Sequence, residues 1–151
     1  MMVDTAQNRT KVWLDTYWLP ANITKDDGST LATTISAFDW PDYPITRLFL
    51  DKNVDGAVSI GQASSKAIVD VDHYPYGYEE VVPILLCAID KPGITGVKLL
   101  AQMDEELRII GEAYPLGSIR RLTGSKPKTE RLGSYFLFSV EYSLTYRRDV
   151  T

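Results

Sequence analysis

Phe136, Phe138, Val140, Tyr142, Leu144 and Tyr146 fall on one parity, and Ser139, Glu141, Ser143, Thr145 and Arg147 on the other. Successive side chains of a strand point to opposite faces, so residues 136–147 predict one long strand with one buried face, roughly 40 Å at ~3.4 Å per residue. Such a strand needs a sheet beside it and a cover over its apolar side. Residues 81–89 (VVPILLCAI) are apolar on both faces, as in a strand covered from both sides. Pro83 has no N–H to give to a ladder, so its end of that strand is expected at an edge or a strand start. The cover is the helix predicted over residues 95–114, where Leu99, Leu100, Met103, Leu107, Ile110 and Tyr114 form one apolar stripe. Thr95 is placed to cap it after the turn Asp90-Lys91-Pro92-Gly93, and Pro115 ends it. The order strand, strand, helix, strand predicts an α+β fold: a mostly antiparallel β-sheet with an amphipathic helix packed on one face.

The remainder is less regular. Residues 1–64 read as a loop-rich N-terminal part of a single 1–151 domain, since no linker or repeat divides the chain. Val12, Trp13, Tyr17 and Leu19 are near helical spacing before Pro20, and Asp27-Gly28 marks a turn. Strands are expected at 30–38, 45–50 and 57–61, and residues 67–73 alternate as a half-buried strand, with Ala67, Val69 and Val71 on its apolar face. Residues 123–133 are polar and basic, the composition of a mobile loop or hairpin tip.

Several function classes are excluded or weakened. One cysteine (Cys87) forms no internal disulfide, and one histidine (His73) builds no multi-histidine metal site. Phosphate-binding, dinucleotide-binding, zinc-protease and serine-hydrolase motifs are missing. There is no run of about 18 apolar residues to span a membrane, and the first ten residues have no signal-peptide core. The product is therefore expected in the cytosol or in a particle assembled there. Asp70, Asp72 and His73, with Glu79 and Glu80 nearby, are the one combination able to ligate a cation or move a proton. Alternation explains the aspartates more simply, as the wet side of a strand. The expectation is no catalytic residue, no metal and no cofactor.

Charge is uneven. Residues 1–115 carry a balance of −8 and residues 116–151 a balance of +4, within a net charge of −4. An acidic body with a basic C-terminal third suits copies that touch head to tail better than it suits nucleic-acid binding. Candidate assembly residues are Tyr74, Tyr76 and Tyr78, whose rings offer rigid contact area, and the cations Arg120, Arg121, Lys126, Lys128 and Arg131.

The pattern over residues 65–151 resembles the tail-terminator and tail-completion proteins of long-tailed bacteriophages. Its parts are the strand 81–89 ending at Asp90-Lys91, the amphipathic helix, a polar loop, and the long alternating strand closing on Tyr146-Arg147-Arg148. The resemblance implies a structural virion protein and not an enzyme. Its copies would form a homo-oligomer ring, commonly of six, at the head-proximal end of the tail tube. The ring would join tail to head, contact tail-tube and neck or connector proteins, and let DNA pass through a central channel. Two other readings stand beside it: another neck or head–tail connector protein, or a small-molecule-binding domain or enzyme using residues 73–80.

Overall fold

The computed structural model describes residues 5–37, 49, 54–69, 75–122 and 127–149. In chain order these form α1 (Ala6–Tyr17), a 3-10 turn (Pro20–Asn22), β1 (Thr33–Ala37), β2 (Gly56–Ile60), β3 (Ser64–Val69), β4 (Pro75–Asp90), α2 (Gly96–Ala113), β5 (Ser118–Arg121), β6 (Lys128–Leu132) and β7 (Tyr135–Asp149). The architecture is α+β. Among the described residues, seven strands make one sheet in the order β1-β2-β4-β7-β5, with β3 beside β4 and β6 beside β7. Only β1 and β2 pair in parallel; the other pairings are antiparallel.

The spine is the β4–β7 ladder, running from Gly77↔Asp149 to Asp90↔Phe136. Even-numbered residues of both strands face the helices: Val82, Ile84, Leu86 and Ala88 pack with Val140, Tyr142 and Leu144 against Leu99, Leu100, Met103, Leu107 and Ile110 of α2. Trp13 and Leu14 of α1 and Trp18 just after it complete that core. A smaller cluster on the opposite face holds Phe49, Ala57, Cys87, Ile89 and Leu137. Both faces of residues 84–89 are covered, as their composition requires.

Pro83 is neither a strand start nor on an outer edge. It sits mid-strand at the seam where the partner of β4 changes from β3, ending at Ser64↔Val81, to β2, beginning at Ile60↔Ile84. Its carbonyl accepts the Gly61 N–H at 2.9 Å, so its missing N–H also faces this seam, and only the reciprocal bond to the Gly61 carbonyl is forgone where the ladder changes partner. A Cβ on Gly61 would stand 2.7 Å from Pro83 Cγ, so the close approach needs glycine.

Other expectations change in detail. α1 starts earlier than the apolar spacing suggests, with Thr5 Oγ1 accepting the Asn8 N–H at 3.2 Å as its cap. Its buried side is Ala6, Thr10, Trp13 and Leu14, while Val12 and Leu19 are exposed. Thr95 holds the cap position of α2, but its hydroxyl donates to Asp26 Oδ2, and Asp90 Oδ1 accepts the Gly96 N–H instead. Of the expected strand 45–50 only Phe49 is described, and it is helical. Strand β3 lies three residues earlier than expected and is exposed along most of its length, because it has β4 on one side only. Residues 70–73 lie outside the described residues.

Candidate assembly surface

Strands β5 and β6 lie end to end along the free side of β7, Ser118–Arg121 opposite residues 145–142 and Lys128–Leu132 opposite residues 139–135. The Leu122 N–H donates to Glu141 O at 2.7 Å, which carries the ladder past the end of β5. Part of the polar stretch expected as a mobile loop or hairpin tip is therefore a strand of the β6–β7 hairpin. β6 returns into β7 through Gly133 and Ser134, and Gly133 has φ +63, a conformation that favours glycine. Residues 123–126 lie outside the described residues, Lys126 among them.

Opposed residues of an antiparallel pair share a face, which fixes where each cation points. Arg121 and Arg131 stand opposite Tyr142 and Phe136, on the helix side; Arg120 and Lys128 stand opposite Ser143 and Ser139, on the other. All four are exposed. The basic group is thus a charged border wrapped around one sheet edge. Charged side chains on an edge also discourage indiscriminate strand pairing. Arg121 is drawn inward, 3.5 Å from Asp104 Oδ2, and the Tyr142 hydroxyl donates to Asp104 Oδ1. Burial, followed by the Asp104 carboxylate, pushes the Tyr142 phenol well above its ordinary range.

The tyrosine group disperses. Tyr74 lies outside the described residues, as does the side chain of Tyr76. Tyr78 is half-buried within β4, and the Arg148 guanidinium lies 5.4 Å from its ring centre. Its neighbour Glu80 is 6% exposed and held at 2.6 Å by Arg9 of α1 and at 3.5 Å by Arg148 of β7. Arg9 also donates to the Tyr146 hydroxyl at 2.8 Å. This clamp fastens α1 across β4 and β7. Glu79 and Glu80 are consecutive in a strand and point to opposite faces, so they do not form one ligand pair.

No protein-family model matches the chain, and no curated protein does. What the surface can do must be argued from its own chemistry. Among the described residues no three His, Cys, Asp or Glu side chains converge as a cation site. The acids that are buried are engaged: Asp55 lies 2.9 Å from both Lys25 and Lys91, and Glu106 accepts from the Asn22 amide at 3.2 Å. Burial alone would raise the Asp55 carboxyl, but the two lysines outweigh it and hold the group below its ordinary range.

Two residues at this edge escape sequence reasoning. Phe136, on the apolar parity, is 45% exposed, and Tyr135 is 41% exposed. Phe136 is opposite Asp90, the last residue of β4, and α2 starts only at Gly96, where a Cβ would meet Phe138. The cover stops one residue pair short of the strand's end.

Proposed function

We propose that the protein is a structural virion subunit, a tail-terminator or tail-completion protein of a long-tailed bacteriophage. Its copies form a ring at the head-proximal end of the tail tube and join tail to head. The observation that carries this reading is the exposed border β5–β6, with Arg120, Arg121, Lys128 and Arg131 opposite residues 135–139 and 142–145 of β7, on a chain whose residues 1–115 carry −8. The order strand β4, helix α2, polar edge and long strand β7 supports it. The sheet stacks both helices on one side and buries the cluster around Cys87 on the other, which leaves the β5–β6 edge for neighbours.

The enzyme reading of residues 73–80 has less support, because Glu80 is committed to Arg9 and Arg148 and Glu79 faces away from it. Sedimentation of the full chain tests the proposal. A ring of six weighs about 101 kDa against 16.9 kDa for one chain. Reversing Lys126, Lys128 and Arg131 to Glu leaves a folded monomer and abolishes the ring, an effect that high salt imitates by shortening the reach of exposed charge to about 8 Å or less. Normal assembly of the triple variant at low salt removes the edge from the account. A wild-type chain that stays monomeric alone and with tail tubes removes the ring.

A further inference from the structure

We propose that the free side of β5 and β6 takes an extended acidic segment of a partner protein, which adds to the sheet as a further antiparallel strand. The inference rests on the assembly reading of this edge and names what docks there and by which bonds.

Register fixes which backbone groups of the edge await a partner. The Leu122 N–H donates to Glu141 O, and Leu132↔Tyr135 closes the two-residue turn of the β6–β7 hairpin. Odd-numbered residues of β7 therefore exchange their bonds with this side, and bonded pairs alternate along an antiparallel ladder. By that parity Arg120, Leu122, Lys128 and Glu130 are tied inward to β7. Ile119, Arg121, Thr129 and Arg131 turn their N–H and C=O outward, where among the described residues no strand lies beside them.

Donors alternating with acceptors select the class of occupant. A phosphate backbone offers acceptors alone and would meet the outward carbonyls with like charge, whereas a peptide strand offers both groups. The side chains narrow the class further. β5 and β6 carry Arg120, Arg121, Lys128 and Arg131 against Glu130 as the single acid. Two such edges repel each other, so the added strand is not the same edge of another copy.

Arg121 already leans on Asp104 at 3.5 Å, which leaves Arg131, Lys128 and Arg120 to recognise the segment. They stand opposite Phe136, Ser139 and Ser143, and a strand antiparallel to β5 and β6 runs in the direction of β7. Its residues opposite the three cations fall at i, i+3 and i+7, and the residue opposite Glu130 falls at i+1. Opposed residues share a face, so cations on both faces of the edge suit a strand whose own side chains alternate. The expected segment has acids at i, i+3 and i+7 and none at i+1.

Hydrogen exchange on the full chain tests this amide by amide. In the free chain the amides of Ile119, Arg121, Thr129 and Arg131 exchange fast, and those of Arg120, Leu122, Lys128 and Glu130 slowly. The probe is a peptide of threonine and valine with aspartates at i, i+3 and i+7, expected to slow the four outward amides by about tenfold or more. Two control peptides, one N-methylated at its edge-facing amides and one with lysine for aspartate, are expected to bind more weakly by about tenfold or more. Arg120→Glu/Lys128→Glu/Arg131→Glu is expected to reverse the preference and take the lysine peptide. Should that variant misfold, the three peptides on the wild type decide alone. The inference is overturned if the outward amides stay fast with the aspartate peptide, if the N-methylated peptide binds equally well, or if a DNA duplex protects the same amides equally. Rings that form while these amides stay fast overturn the strand addition and leave the ring reading. Protection by the peptide in a chain that never forms rings overturns the ring reading alone.

Discussion

Leu107→Ala against Ile109→Ala sets two aliphatic truncations two residues apart on α2 in opposite environments. Leu107 is 0% exposed within the main core, and Ile109 is 47% exposed. Removing three buried carbons forfeits about 2.4 kcal/mol of transfer free energy at ~0.8 kcal/mol per CH₂. The void left in the main core raises the cost, and buried leucines truncated to alanine fall in a range of about 2–5 kcal/mol. Ile109→Ala gives up partly wet area and gains a few tenths of a kcal/mol in helix propensity, for a net effect of about 0–1 kcal/mol. With a urea slope of about 2 kcal/mol/M, Leu107→Ala lowers the denaturation midpoint by about 1–2.5 M, while Ile109→Ala shifts it by less than about 0.5 M. Equal shifts, or a wild-type midpoint for Leu107→Ala, would refute the packing of α2 on the sheet.

Three further perturbations address the polar contacts. Tyr142→Phe loses the Asp104 hydrogen bond and costs about 1–2 kcal/mol at pH 7. Because the Tyr142 pKa is raised on folding, its contribution is present below about pH 10 and lost as pH rises further, so the variant's stability must fall less steeply than the wild type's above pH ~10. Asp55→Asn weakens the bridge to Lys25 and Lys91 by about 1–3 kcal/mol. The depressed Asp55 pKa contributes stability above about pH 4 that is lost as pH falls through the folded-state value, so wild type and variant must converge in acid; a constant gap down to pH 2 would contradict it. Arg9→Met removes the clamp to Glu80 and Tyr146, and hydrogen exchange should show α1 losing protection while β4 keeps it; unchanged α1 protection would mean that the apolar contacts of Trp13 and Leu14 suffice.

The parts of the fold legible in the sequence are those with strict periodicity and a complete cover. The β7 alternation and the stripe Leu99–Leu100–Met103–Leu107–Ile110 name buried residues because each position on the apolar side meets the opposing layer. Where the cover ends, periodicity misleads: Phe136 keeps the parity of Val140 but stands beyond α2, and Ala67 and Val69 alternate in a strand with one neighbour. Pro83 departs from its expected place at an edge or strand start for a different reason, since a missing N–H matters only on the side of the strand it faces. Composition located the basic edge but not its geometry, because the direction of Arg120 against Arg121 follows from register with β7. The clamp Arg9–Glu80 spans 71 positions and the Lys25–Asp55 bridge spans 30, and no local pattern signals either.

Electron microscopy of tail tubes from the long-tailed phage to which the proposed function would assign the chain, before and after addition of the purified protein, tests the central claim most directly. The account predicts a single additional ring at one end of each tube, absent when Lys126, Lys128 and Arg131 are reversed to Glu. Tubes that remain bare at both ends with the wild-type protein, or that are decorated along their length, would contradict it.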